Sequence, residues 1–160
     1  MGRKRVKPFF ESVEVIDAGA KGKSIAKAPD GKVIFLSNAI PGDVVDIQTH
    51  KKRKAYYEGK ATKFISYSDK RTDPECIHFG TCGGCKWQHM KYDAQLFYKE
   101  QEVVNNLQRI GKVELPQITP ILGSQKHYFY RNKMEFSFSD SRWLSLEEIN
   151  SGKDLSLIHI

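Results

Sequence analysis

The sequence predicts an α+β protein in which a small five-stranded β-barrel precedes a cysteine-containing loop and one helix. Three patterns support this fold class. Short apolar–polar alternations separated by turn residues occupy residues 9–67, one segment with helical periodicity covers residues 92–111, and alternation returns in residues 127–139. The chain has 160 residues, of which 39% are hydrophobic and 28% charged, so its composition is that of a globular protein.

The predicted barrel consists of five strands in the first part of the chain. They are residues 12–19, 23–28, 32–37, 44–50 and 55–67. The step from Asp30 to Gly31 is a strong signal for a hairpin turn, so the third strand is expected to pair with the second. Gly59 predicts a break or bulge in the fifth strand. Five short strands are enough to close a barrel, and a small open sandwich is the structural alternative.

A polar connector, residues 68–75, leads from the barrel to the cysteines and then to the predicted helix. The helix, residues 92–111, has apolar residues spaced along one face. Asp93 is expected to cap its start, and Gly111 is expected to end it. The alternation in residues 127–139 predicts a half-buried strand that follows this helix.

The charge of the chain favours a polyanionic partner. Lys and Arg number 26 against 19 Asp and Glu, which gives a formal net charge of +7. The basic residues at the start are not followed by the apolar region of a secretory signal, and no apolar run is long enough to span a membrane. We therefore expect a cytoplasmic protein with no membrane partner and no disulfides.

All three cysteines, Cys76, Cys82 and Cys85, lie within ten positions in the pattern C-x5-C-x2-C. A C-x2-C turn brings two thiolates close enough to bind one metal centre, and the five-residue spacer lets the third fold over. Gly83 and Gly84 allow tight turns at this point and can direct N–H groups toward sulfur. The spacing predicts a metal centre, although three buried structural cysteines are the simpler alternative.

The identity of the metal stays open on spacing alone. Zinc usually has a fourth protein ligand, which His78 or His89 would supply in a Cys3His site. A [4Fe–4S] cluster binds four thiolates, of which this chain offers three. A third interpretation is a redox pair formed by Cys82 and Cys85, with no bound metal.

The cysteine region resembles that of the bacterial RNA uracil-5-methyltransferases, most of all the group that acts on 23S ribosomal RNA. Three segments carry the resemblance. In chain order, the first is GKSIAKAPDGKVIFLSNAIPGDVV, the second is CIHFGTCGGCKWQH, and the third is YRNKMEFSFS. The second segment is followed by Tyr92, Gln95, Lys99 and LQRIG, which also match. It runs in one order over about residues 10–145. The front segment is similar to a TRAM domain, which is an OB-like RNA-binding barrel.

The resemblance implies a domain order and a set of cluster ligands. It divides the chain into a basic tail (residues 1–8), a TRAM-like OB barrel (residues 9–67), a cysteine-cluster segment with a helix (residues 68–111) and the start of a central domain (residues 112–160). It implies that Cys76, Cys82 and Cys85 are three of the four ligands of a [4Fe–4S] cluster, the fourth lying downstream in the family.

The resemblance also implies that catalysis lies elsewhere in the family's sequence. The family's S-adenosylmethionine site, nucleophilic cysteine and general base belong to a C-terminal domain, and this sequence ends before it. No glycine-rich turn follows a strand and opens a helix, so we assign neither a catalytic nor an S-adenosylmethionine-binding residue. We expect a truncated or joined fragment that is inactive alone, with a genuine short variant as the alternative.

Basic residues in two places are candidates for RNA contact. They are Lys51, Lys52, Arg53 and Lys54 between two predicted strands, and Arg131 and Lys133 on the last one. Tyr56 and Tyr57 follow the first group, and basic loops beside aromatic residues suit phosphate contact combined with base stacking. A solvated basic hairpin with core tyrosines is the alternative.

Taken together, the sequence predicts the RNA-binding and [4Fe–4S]-binding portion of an S-adenosylmethionine-dependent enzyme. Such an enzyme would form 5-methyluridine in 23S ribosomal RNA, and we expect it to be a monomer. The alternative function is a stand-alone RNA-binding module that carries a Cys3His zinc site and has no catalytic activity.

Overall fold

A computed structural model describes residues 7–81, 83–130, 148 and 151. Five strands form its first part: β1 (Phe9–Gly19), β2 (Lys23–Lys27), β3 (Val33–Ser37), β4 (Val44–Lys52) and β5 (Tyr56–Ser66). They close into a barrel in the order β1-β2-β3-β5-β4. The pair β3–β5 is parallel and every other pair is antiparallel. The predicted α+β class with an OB-like barrel is therefore confirmed, and the open-sandwich alternative is wrong.

The β2–β3 hairpin forms at the predicted Asp-Gly step. The Ala28 N–H donates to the Lys32 carbonyl at 2.9 Å, and Gly31 adopts a φ of 81°, a conformation that favours glycine. The Asp30 side chain accepts a hydrogen bond from Lys32 Nζ at 2.7 Å. Strand β3 therefore pairs with β2 in the register that the turn fixes, from Lys27 opposite Val33 to Ser24 opposite Leu36.

The fifth strand is continuous at Gly59, and the irregularity lies on its partner strand. Thr49 pairs with Gly59 and Lys51 pairs with Glu58, so His50 is the extra residue, on β4. Gly59 itself is required by a close approach of the two strands. A Cβ added there would lie 2.9 Å from the backbone oxygen of Gln48. The bulge beside Gly59 is thus on β4, whereas β5 has extra residues of its own a little further along, at Thr62 and Ile65.

Alternate residues of the strands fill the interior of the barrel. The buried core comprises Val15, Ala26, Ala28, Ile34, Leu36, Ala39, Val45, Ile47 and Tyr57. Because side chains of a strand alternate between its two faces, the polar residues between these positions point away from this core. Phe10 adds an edge-on contact to the Tyr57 ring, with centroids 5.3 Å apart.

A second cluster joins the barrel to the segment that follows it. Helix α1 (Tyr92–Asn105) continues into a π-helical turn (Asn106–Ile110). Its residues join barrel residues and loop residues in one buried group: Ala18, Ile40, Trp87, Met90, Ala94 and Tyr98. The predicted cap is wrong, because the helix starts at Tyr92 and the Asp93 carboxylate accepts from the Ala94 N–H within the first turn.

The last part of the described chain is irregular. Gly111 follows the π-helical turn, as expected, with a φ of −72°. Residues 127–130, the described part of the predicted strand 127–139, contain no strand. The rest of that prediction, including Arg131 and Lys133, lies outside the described residues. No helix in the described part of the chain is both long and apolar enough to cross a membrane.

Candidate nucleic-acid interface and cysteine loop

The cysteine loop, residues 72–89, begins and ends at one place. Arg71 and Met90 form an antiparallel bridge. Two backbone hydrogen bonds flank it, from the Lys91 N–H to the Lys70 carbonyl at 2.8 Å and from the Thr72 N–H to the His89 carbonyl at 3.2 Å. The loop is thereby held closed at its base, independently of anything that its cysteines bind.

Inside the loop, the Gln88 side chain links two of the cysteines. Its amide oxygen accepts a hydrogen bond from the Cys76 N–H at 3.2 Å, and its amide nitrogen donates to Cys85 Sγ at 3.3 Å. Cys85 is exposed and Cys76 is partly buried, and both are free thiols.

The described residues include two of the three predicted metal ligands, Cys76 and Cys85. Cys82 lies outside the described residues, and the described residues contain no group of three His, Cys, Asp or Glu side chains that could hold a metal ion. Gly80 and Gly83 have φ values of 85° and 72°, so the backbone turns sharply on both sides of Cys82. The three-cysteine metal site therefore stays a prediction.

A buried ion pair fixes the cysteine loop to the barrel. Arg71 donates to both carboxylate oxygens of Asp43, at 2.8 Å and 2.7 Å, and the Asp43 side chain is fully buried. The same carboxylate accepts from the Ile40 N–H at 2.7 Å and the Ser68 N–H at 3.0 Å. Burial alone would raise the pKa of Asp43, but the hydrogen bonds from Arg71 and from two backbone N–H groups outweigh it and hold the pKa below its ordinary value of 3.8.

A close contact on the other side of the barrel completes the attachment. The turn between β1 and β2 places Gly22 against the loop, where an added Cβ would lie 2.3 Å from Lys86 Cβ. Gly22 has a φ of 68°, so both its conformation and its surroundings favour glycine. The barrel and its attached segment thus meet at Gly22 as well as at Asp43.

The first basic group occupies the end of β4 and the turn into β5, and its four members differ in environment. Lys51 Nζ is paired with the Glu58 carboxylate at 2.7 Å. Lys52, Arg53 and Lys54 are exposed, and none of them belongs to an ion pair within the described part of the chain. The three together form what we call the basic hairpin, a surface with three uncompensated positive charges.

The tyrosines beside the basic hairpin do not offer open stacking surfaces. Tyr57 is buried in the barrel core and its hydroxyl donates to Asp30 at 2.8 Å. Tyr56 is partly buried and packs edge-on against Phe35, with ring centroids 5.4 Å apart. The expectation of base stacking on both residues is wrong for Tyr57, because its alternating position on β5 points it inward.

A stacked aromatic pair, in which Phe64 is partly buried and Tyr67 is exposed, lies instead where β5 ends, and sequence reasoning missed it. The rings of Phe64 and Tyr67 are stacked, with centroids 5.1 Å apart and planes 19° apart. The Arg71 guanidinium lies over both rings, 4.8 Å and 5.2 Å from their centroids. The available signal was an aromatic residue at each end of FISY, followed by a polar connector.

Comparisons with known proteins agree with this geometry. A family model of the TRAM domain matches residues 11–62. The chain is 54% identical over 130 residues to an uncharacterized RNA methyltransferase of Bacteroides thetaiotaomicron, a match that covers 81% of this chain and 28% of the relative. It is 36% identical over 115 residues to the 23S rRNA (uracil(1939)-C(5))-methyltransferase RlmD of Chromobacterium violaceum, covering 71% of this chain and 22% of that protein.

The fold and the matched domain therefore define a TRAM-type barrel with an attached cysteine loop. Residues 11–62 match the TRAM domain, and over most of its length the chain is similar to RNA methyltransferases, among them 23S rRNA uracil-C5-methyltransferases. It spans 28% and 29% of the length of the relatives from Bacteroides thetaiotaomicron and Porphyromonas gingivalis.

Proposed function

We propose that this chain is the RNA-binding and cluster-binding portion of an S-adenosylmethionine-dependent enzyme that forms 5-methyluridine in 23S ribosomal RNA. The observation that carries the proposal is a TRAM-type barrel with an uncompensated basic hairpin, in a family with relatives named for this reaction. We place the protein in the cytoplasm, where ribosomal RNA is found, and expect it to be monomeric. Catalytic residues and the methyl-donor site are not assigned to this chain.

The contribution of this chain to the reaction is to hold RNA rather than to transform it. Lys52, Arg53 and Lys54 supply charge that attracts phosphates and releases counterions when they bind. Phosphate contacts of this kind fix the position of the RNA and carry little sequence information. Lys51 contributes less, because Glu58 already compensates its charge.

Deletion of the gene tests the proposed reaction as a whole. We expect 5-methyluridine to disappear from one position of the cell's 23S ribosomal RNA, as measured by nuclease mapping and mass spectrometry of nucleosides. Re-expression of the intact gene should restore it. An unchanged 5-methyluridine content in 23S ribosomal RNA, with a loss in another RNA class, would contradict the assigned substrate.

Salt dependence tests the role of the basic hairpin. Replacing Lys52, Arg53 and Lys54 together by Ser is expected to reduce the slope of log K against log salt by about 2, since each lost contact to single-stranded RNA removes about 0.7. Binding of a fluorescein-labelled uridine decamer, followed by anisotropy at several salt concentrations, measures the slope. A matched control replaces Lys99, Lys112 and Lys126, which are exposed elsewhere, by Ser. Equal slopes for the two triple variants would show that the hairpin is ordinary surface.

The cysteine loop is proposed to hold the metal centre through Cys76, Cys82 and Cys85. The chemistry of the donors fits iron or zinc, because thiolates bind both and Gln88 already donates to Cys85 sulfur. When bound, the group would act as a cross-link that fixes the interior of the loop. A [4Fe–4S] cluster is the first proposal because of the family, and a Cys3His zinc site is the second.

Replacing Cys85 by Ser is expected to abolish stoichiometric metal binding, since a lost thiolate cannot be replaced from within the described loop. Metal analysis and the visible absorbance of anaerobically purified protein provide the measurement, because iron–sulfur clusters are coloured and zinc sites are not. His78→Ala is the matched variant, since it removes an exposed side chain that only a zinc site would use. Undiminished metal content in Cys85→Ser would rule out this residue as a ligand.

A further inference from the structure

A groove lies between the end of β5 and the cysteine loop. Its volume is about 610 Å³, within the range of small-molecule sites, and it opens to solvent on one side. The residues that carry the following argument are Asn38, Phe64, Tyr67, Arg71, Phe79 and His89. None of them belongs to the basic hairpin, which lies at the other end of β5.

One wall of the groove is an exposed aromatic surface. Tyr67 is 68% exposed and is stacked on Phe64, which holds its ring in place. A large aromatic side chain with this exposure has a face available to a planar ligand. Aromatic rings of this kind, with guanidinium groups beside them, are the surfaces on which unpaired bases stack in RNA complexes.

The Arg71 guanidinium in this wall is already compensated. It is paired with both oxygens of Asp43, which is fully buried, so it adds a flat polar surface and little net charge. A free phosphate or another small anion would find no uncompensated cation here. The groove therefore suits a neutral planar group better than an anion.

His89 and Phe79 line the groove as well. The His89 ring packs on Phe79 with centroids 5.0 Å apart, and His89 is 6% exposed with both ring nitrogens buried. This part of the lining therefore offers a base ring surface rather than a hydrogen bond.

We propose that this groove binds one unstacked nucleobase of single-stranded RNA, with Tyr67 as the stacking surface. The inference rests on the proposed RNA-binding function and adds a base-binding site to it. Phosphates would meet the basic hairpin at one end of β5 and a base would enter the groove at the other. Eleven residues of β5 span at most roughly 35 Å, which a strand of several nucleotides can bridge.

The test compares two probes that differ only in their bases. One is a fluorescein-labelled uridine decamer and the other is a labelled decamer of abasic ribose phosphates, so both carry the same number of phosphates. The wild-type chain should bind the uridine decamer more tightly. Tyr67→Ala is expected to weaken uridine binding about tenfold, the loss of one stacked base, and to leave abasic binding unchanged.

Two further variants sharpen the comparison. Tyr67→Phe keeps the stacking face and should preserve the preference for the uridine decamer. Ile77→Ala, a change at a 91% exposed position of the cysteine loop outside the groove, serves as the control.

Each contrary outcome has a distinct meaning. If Tyr67→Ala still prefers the uridine decamer, the inference is overturned. The same holds if this variant lowers thermal stability but leaves the preference unchanged, because Tyr67 would then pack against another part of the protein rather than a base. Equal binding of the two probes by the wild-type chain also overturns it, while RNA binding through phosphates stands. Failure of both probes to bind removes the proposed function and the groove's ligand together.

Discussion

Replacing Asp43 by Ala is expected to lower the free energy of unfolding by about 3 to 5 kcal/mol, the cost of removing one partner from a buried ion pair. The variant leaves Arg71 without its carboxylate and two backbone N–H groups, those of Ile40 and Ser68, without their acceptor. Urea denaturation followed by circular dichroism measures the loss. Asp69→Ala, which removes a carboxylate that is 93% exposed, is the matched control and should change stability by no more than about 0.5 kcal/mol.

The contribution of Asp43 depends on pH in a definite direction. Its pKa is lowered in the folded state, so its stabilising effect is complete above the ordinary value of 3.8 and is lost as the pH falls through the lower folded value. The difference in stability between the wild type and Asp43→Asn should therefore be constant near neutral pH and shrink below about pH 4. A difference that grows in acid would mean that Asp43 is not held as the carboxylate.

Trp87→Ala is expected to lower the free energy of unfolding by about 3 kcal/mol, within the usual range for removing a buried aromatic side chain. Trp87 is 8% exposed and packs in the second cluster, where residues of the barrel, the cysteine loop and helix α1 meet. The barrel core is a separate group of residues. The loss of stability should therefore be greatest around the second cluster, where the barrel meets α1, and smaller in the barrel core.

Amide hydrogen exchange shows where the stability is lost. Amides of α1 should exchange faster in Trp87→Ala, while those of the paired strands β2 and β3 keep most of their protection. Trp87→Phe is the matched variant, because it keeps an aromatic ring and removes an indole N–H that has no partner within the described residues. The loss of protection in Trp87→Phe should be clearly smaller than in Trp87→Ala. Uniform loss of protection across strands and helix would instead mean that the two clusters unfold as one unit.

The barrel was predictable because its signals are local. Alternation fixes which residues of a strand face inward, and the Asp30–Gly31 step fixes the hairpin between β2 and β3. The helix was predictable for the same reason, since its apolar period is contained in one segment. The prediction that Asp93 caps the helix was wrong, because α1 already begins at Tyr92, one residue before Asp93.

The contacts that shape the candidate site were not predictable because they join distant positions. Asp43 and Arg71 are 28 residues apart, and neither side chain is distinguishable in sequence from a solvated surface charge. The stacked pair of Phe64 and Tyr67 lines a groove only because the cysteine loop folds back beside it, with His89 in the same groove. This contact joins residues that are more than 20 positions apart in the sequence. The cysteine spacing is a local signal too, but the metal site that it predicts stays a prediction because Cys82 lies outside the described residues.

The bridge between Arg71 and Met90 has a consequence for how this protein can vary. Since both ends of the intervening stretch leave from adjacent points, its length can change between Thr72 and Lys86 without altering the distance between the barrel and α1. Trp87 has to stay, because it packs between these two neighbours.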